Sequence, residues 1–99
     1  MSKKLETAHA GTLESSDAFV RVIPIDAKGI EIELESSVEE IYGDAIRDLI
    51  LETAKAMKVD GVKLIVQDKG ALDYVIKARV QTAILRAASQ TQPDWSELS

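Results

Sequence analysis

Two adjacent serines, Ser15 and Ser16, lie in the run Gly11-Thr12-Leu13-Glu14-Ser15-Ser16-Asp17 and are the residues of this chain best suited to carry chemistry. A serine hydroxyl becomes a nucleophile only when a neighbouring base takes its proton. The residues flanking this pair are Glu14 and Asp17, with no histidine or lysine beside them. Such a hydroxyl is a poor catalyst but a competent acceptor of a group delivered by another enzyme. The competing reading is a polar turn over Glu14 to Asp17, since Ser and Asp bond their own backbone there. Local sequence by itself favours the turn.

Little else in the chain competes for a chemical role. There is no cysteine, which removes disulfides and thiolate metal sites together, and the single histidine, His9, has no partner ligand nearby. His9 is therefore read as a surface residue, and no metal is expected. Gly61 and Gly70 stand alone, outside any phosphate-cradling glycine pattern. Asp68 and Asp73 flank Lys69-Gly70-Ala71-Leu72. Their positions match a strand end and a first helical turn, where the macrodipole favours a carboxylate, and a structural role is preferred over an acid/base pair. Nothing assembles nucleophile, base and oxyanion donors.

A chain of 99 residues forms one domain with a single modest core. With 45% hydrophobic and 29% charged residues it has the composition of an ordinary globular protein. Its 17 acidic against 12 basic side chains leave a net charge of −5, which argues against nucleic acid and against anionic membrane surfaces. No apolar run approaches the ~20 residues of a transmembrane helix. Lys3 and Lys4 are not followed by a hydrophobic stretch, so no signal peptide is expected and the expected location is the cytoplasm.

Hydropathy patterning supplies the elements that must position the serines. From Ala18 to Ile25 the residues alternate and are rich in β-branched types, the mark of a strand with a buried face. Asp26-Ala27-Lys28-Gly29 is a turn, with Gly29 available for a positive φ. Ile30, Ile32 and Leu34 then alternate with Glu31, Glu33 and Glu35, whose carboxylates read as a solvated strand face. These two strands are expected to pair as an antiparallel hairpin. Ser36 with Glu39, or Ser37 with Glu40, fits a capping box opening a helix. That helix carries a wide apolar stripe from Val38 through Ile41, Tyr42, Ala45, Ile46, Leu49, Ile50, Thr53 and Ala54 to Met57, and Asp60-Gly61 is expected to end it. Tyr42 and Met57 are accordingly assigned to the core.

Val62 to Val66 forms a further strand, and a second helix runs from about Leu72 to Ala88. A strand, a helix and a strand in succession predict a right-handed crossover with a parallel pair. The expected fold class is α+β, a two-layer sandwich with a small mixed sheet packed by two helices in the order β-β-α-β-α. Leu5 to Leu13 is a candidate for an extra N-terminal strand, although residues 1–10 as a whole are expected to be flexible. The domain spans 1–88. Residues 89–99 form a polar tail with Pro93 and the only tryptophan, Trp95, which either folds back or anchors a partner.

The small acidic domain with an exposed serine suggests a carrier. The helical pantetheine carriers fit poorly, because this chain has no Asp-Ser-Leu run and reads as half β. The chain instead resembles the acyl carrier protein, or gamma subunit, of citrate lyase. The resemblance rests on Ala10-Gly11-Thr12-Leu13-Glu14-Ser15-Ser16-Asp17, Gly43-Asp44-Ala45-Ile46-Arg47, Gly61-Val62, Asp68-Lys69-Gly70-Ala71-Leu72-Asp73, Ala78-Arg79 and Pro93-Asp94-Trp95, almost the whole chain in order.

The resemblance implies a phosphoribosyl-dephospho-coenzyme A arm held through a serine phosphodiester, and Ser15 matches the attachment position. It also implies a non-catalytic subunit serving citrate cleavage to acetate and oxaloacetate. The alpha subunit would exchange acetyl for citryl, the beta subunit would cleave the citryl thioester, and a transferase would install the arm. Gly11, Thr12, Leu13, Glu14, Ser16 and Asp17 are the supporting motif residues. One departure stands out: the family commonly has glycine where this chain has Ser16, which leaves a second hydroxyl beside the first. The alternatives are the carrier subunit of malonate decarboxylase and an unmodified α+β interaction module.

Overall fold

The computed structural model describes residues 5–37 and 39–89. Its elements run β1 (Ala8–Gly11), β2 (Ala18–Pro24), β3 (Ile30–Ser36), α1 (Glu39–Ala56), β4 (Val62–Asp68) and α2 (Asp73–Ser89). The four strands form one mixed sheet in the order β1-β2-β4-β3, and the fold is the expected α+β sandwich with the extra N-terminal strand present. Strict alternation gives the sheet one buried face. Ala18, Val20 and Val22 of β2 and Val62, Leu64 and Val66 of β4 are fully covered there, joined by Ile50 of α1 and Ile76, Val80 and Ala83 of α2. The helices divide the sheet between them, α2 lying over β1 and β2 and α1 over β3.

The expected hairpin does not form. β2 and β3 run in opposite directions, but β4 lies between them, antiparallel to β2 (Val20 opposite Val66) and parallel to β3 (Leu34 opposite Val66). Alternation reveals which strands are half-buried but not which are neighbours. β4 takes the centre because it is apolar on its covered face and half-covered on the other through Lys63, Ile65 and Gln67. The connection between β2 and β3 wraps the start of β4. The Ile25 amide donates to the Gly61 carbonyl (2.9 Å) and the Gly61 amide to the Gly29 carbonyl (2.9 Å). Asp60 Oδ1 accepts from the Gly29 amide at 2.9 Å. The crossover through α1 does give the predicted parallel pair. On the edge strand, Glu31, Glu33 and Glu35 are exposed as expected, where charge discourages pairing with another sheet. Glu33 meets Lys63 at 3.2 Å, a surface pair of small energetic weight.

Two further expectations, on Tyr42 and on the end of α1, are corrected. Within the 1–10 segment, Ala8 and Ala10 are buried and pair with Val22 and Val20. The amide of Glu6 also donates to Ala87 at 3.1 Å, which ties the segment before β1 to the end of α2. Tyr42 is not a core residue; with 57% of its surface exposed, it stands in the first turns of α1, where Ile41 is also exposed, and among the described residues Ile46 is the first large side chain of the helix in the core. Met57 is half-buried against the core, as expected. The capping-box partners Glu39 and Glu40, with Val38, Pro93, Trp95 and the rest of the 90–99 tail, lie outside the described side chains.

α1 also stops earlier than Asp60-Gly61. It ends at Ala56, and Lys58 adopts φ +59°. The Lys58 amide donates to the Lys55 carbonyl and the Val59 amide to the Ala54 carbonyl, the hydrogen-bond pair of a Schellman motif with lysine where glycine is usual. A side chain in this backbone region costs about 1 kcal/mol relative to glycine. Lys58→Gly is therefore expected to raise stability by about that amount and Tm by roughly 4–8 °C, measured by thermal unfolding.

Candidate attachment site

The loop joining β1 to β2, residues 12–17, presents Ser15, and its shape follows from how each end is fixed. At its entry Gly11 adopts φ +91°, and a Cβ there would run into the Ala18 carbonyl oxygen. Only glycine lets the two strands leave the sheet this close together. Thr12 Oγ1 donates to Asp17 Oδ2 (2.8 Å) and accepts from the Glu14 amide (3.2 Å), bridging the two sides of the loop. The Asp17 amide donates to the Glu14 carbonyl at 3.1 Å, closing a turn whose central residues are Ser15 and Ser16.

Ser16 occupies the third position of that turn with φ +67°, a backbone region natural for glycine. Its amide donates to the Lys69 carbonyl (2.8 Å), and the Lys69 amide donates back to Asp17 (2.9 Å), so the turn is pinned to the end of β4. Ser15 stands at the exposed tip and makes no hydrogen bond among the described residues. Both side chains are exposed, and the two serines differ in backbone role: Ser16 holds the positive φ and the amide bond to Lys69, and Ser15 holds neither.

Asp17 is the hub. Its carboxylate accepts from Arg79 Nε on Oδ1 (2.9 Å) and from Arg79 Nη2 on Oδ2 (3.2 Å), besides Thr12 and the Ala18 amide. The Arg79 hydrogen bonds, then those from Thr12 and Ala18, hold its pKa down at about 2, and Asp17 raises that of Arg79 in turn. A carboxylate so fully engaged has no free basicity to offer Ser15.

The same clamp sets a pH dependence. A depressed carboxylate pKa contributes stability that is present above pH ~4 and lost as pH falls toward 2. Asp17→Asn is expected to lower stability at neutral pH and to flatten the acid limb between pH 4 and 2, read by denaturant midpoints across that range.

Arg79 is the functional residue whose role the sequence did not disclose. It lies 62 positions from Asp17. The available signal was a cation set beside the core positions Ile76, Val80 and Ala83 of α2, which calls for an acidic partner. Asp68, one of the two aspartates considered as an acid/base pair, is buried. It accepts from Ser36 Oγ (2.7 Å) and the Ala71 amide (2.8 Å), and so shapes the connection that carries Lys69 to Leu72. Asp73 is exposed in the first turn of α2. Beside it, between the starts of the two helices, lies an open groove of about 580 Å³ bordered by Tyr42, Ala45, Ile46, Gly70, Leu72 and Asp73. His9 is exposed on the uncovered face of the sheet, its ring 5.4 Å from that of Phe19, and no group of metal ligands occurs among the described residues.

The similarity of this chain to known proteins extends over the whole domain. The family model described as ACP, malonate decarboxylase delta subunit (MdcD), matches residues 5–87. The citrate lyase acyl carrier protein of a classical Vibrio cholerae strain is 51% identical over 92 residues, covering 93% of this chain and 94% of the relative. That of Klebsiella pneumoniae is 48% identical over 98 residues, covering 99% and 100%. Among solved structures, a chain of a Pseudomonas malonate decarboxylase hetero-tetramer in complex with malonate superposes with a TM-score of 0.67 over 87% of this chain and 88% of that one. At 16% identity that likeness concerns the fold alone. With relatives about half identical from end to end, and the family model spanning the domain, the chain belongs to the citrate lyase acyl carrier protein family.

Proposed function

We propose that this chain is the acyl carrier subunit of citrate lyase and that Ser15 holds a phosphoribosyl-dephospho-coenzyme A arm through a phosphodiester. The observation that carries the reading is the Ser15 hydroxyl itself, displayed at the tip of a turn whose flanks are fixed by Gly11, Asp17, Arg79 and Lys69. Esterifying that oxygen breaks no hydrogen bond of the loop, so the site suits the group. When bound, the arm supplies a thiol that carries acyl groups as thioesters. The chain's own residues hold the attachment point away from the core and keep the loop's shape while partner subunits act.

Those partners are proposed to be the citrate lyase alpha and beta subunits and the transferase that installs the arm, acting in the cytoplasm. No helix among the described residues is long and apolar enough to cross a membrane. The test is reconstitution. Modified protein combined with citrate lyase alpha and beta subunits should release oxaloacetate from citrate. The same protein should not support malonate decarboxylation with the subunits of that enzyme. The reverse pattern would move the chain to the malonate decarboxylase reading, and activity in neither, with the arm attached, would contradict both.

A further inference from the structure

Five of the six large hydrophobic residues that are exposed among the described residues gather at one end of the molecule: Leu13, Ile41, Tyr42, Leu72 and Tyr74. That end also displays Ser15. The groove between the helix starts lies within this patch. Small residues (Ala45, Gly70 and Ala71) leave room between Tyr42, 57% exposed, and Leu72, 65% exposed. Its volume of about 580 Å³ falls in the range of small-molecule sites. It adjoins the serine turn directly, because Lys69 binds Ser16 and Asp17 while the next residue, Gly70, begins the groove.

We infer that this groove is a resting site for the adenine of the arm attached to Ser15, with the base seated against Tyr42 and Leu72. The inference rests on the proposed attachment. In a phosphoribosyl-dephospho-coenzyme A arm the adenosine follows the first ribose phosphate, so the base is the flat, apolar group nearest the serine. Bases stack on aromatic side chains with little regard to sequence. The one charged group among the lining residues is the Asp73 carboxylate, an acceptor only. It complements the amino group of adenine and repels phosphate, which selects the base over the pyrophosphate. Seating the base holds the nucleotide against the domain and leaves the pantetheine portion free to reach partner active sites.

Amide shifts in NMR spectra of the unmodified and modified protein test this, with intact mass recorded on each sample. Free dephospho-coenzyme A added to unmodified protein should shift the Tyr42, Ala45 and Gly70–Asp73 amides, whereas pantetheine should leave them in place. Tyr42→Ala should weaken that binding roughly tenfold, the scale of one base-on-aromatic stack. Attachment of the arm should shift the same amides independently of protein concentration, and Tyr42→Ala should return the others toward their unmodified positions with the mass gain retained. A mass gain with the groove amides unmoved, or shifts caused by pantetheine rather than the nucleotide, would overturn the inference and leave the attachment standing. No mass gain on the wild-type protein would overturn both.

Discussion

Ser15→Ala should fold with unchanged stability and never acquire the arm, so that its intact mass stays at that of the bare chain under conditions that fully modify the wild type. The expected loss is complete rather than partial, because the proposed attachment is to the Ser15 oxygen alone. Ser16 has a positive φ and donates its amide to Lys69. An arm on Ser16 would load the residue that sets the turn. Ser16→Gly is the informative companion. It relieves a backbone conformation that serine tolerates poorly, so it should gain about 1 kcal/mol in stability and keep the full mass gain. Reconstituted citrate cleavage should follow the same order, absent with Ser15→Ala and retained with Ser16→Gly. If Ser16→Gly abolished modification while Ser15→Ala kept it, the assignment would be wrong by one residue.

Gly11→Ala carries the largest expected effect on folding. The added methyl meets the Ala18 carbonyl oxygen, and the backbone stands at φ +91°. Neither atom is the flexible end of a side chain, so β1 and β2 must separate where they leave the sheet. The combined strain and loss of pairing should cost about 3 kcal/mol or more, lowering Tm by more than about 10 °C. Gly29 provides the control. It has a similar φ of +97°, but a Cβ there meets nothing within 4 Å. Gly29→Ala should therefore cost only the backbone term, about 1 kcal/mol. Equal losses at the two positions would show that conformation alone, and not the close approach at the base of the serine loop, governs Gly11.

Much of the architecture was legible because alternation and helical spacing report burial directly. β2, β3, β4 and both helices lie where their apolar periodicities place them, and Asp73 opens α2 as its charge predicts. Strand neighbours were not legible. β2 and β3 look like a hairpin because their turn is short, yet the pairing is decided by which strand gains most from two-sided coverage, and that is β4. Tyr42 misled for a related reason. Its spacing continues the stripe of α1, but Ile41 and Tyr42 are both exposed, and no local pattern distinguishes them from the covered residues further along the helix.

At the site, the motif marked Ser15, Asp17 and Gly11, while the physical distinction between the two serines appeared only with the backbone angles. The Asp17–Arg79 clamp joins residues far apart in the chain and required the packing of α2 over β1 and β2 to bring them together. This is also why the turn is more than the local Ser and Asp bonding that the sequence favoured. Its hydrogen bonds run to β4 and its charge to α2.

Whether Ser15 is the attachment residue is decided by locating the arm on protein isolated with the modifying enzymes present. Trypsin releases Leu5 to Arg21 as one peptide holding both serines and no internal lysine or arginine. Fragment masses from its tandem mass spectrum separate the two positions. The added mass is expected on every amino-terminal fragment that includes Ser15 and on none that ends at Glu14. Fragments ending at Ser15 without the added mass, with the mass first present at Ser16, would contradict the assignment.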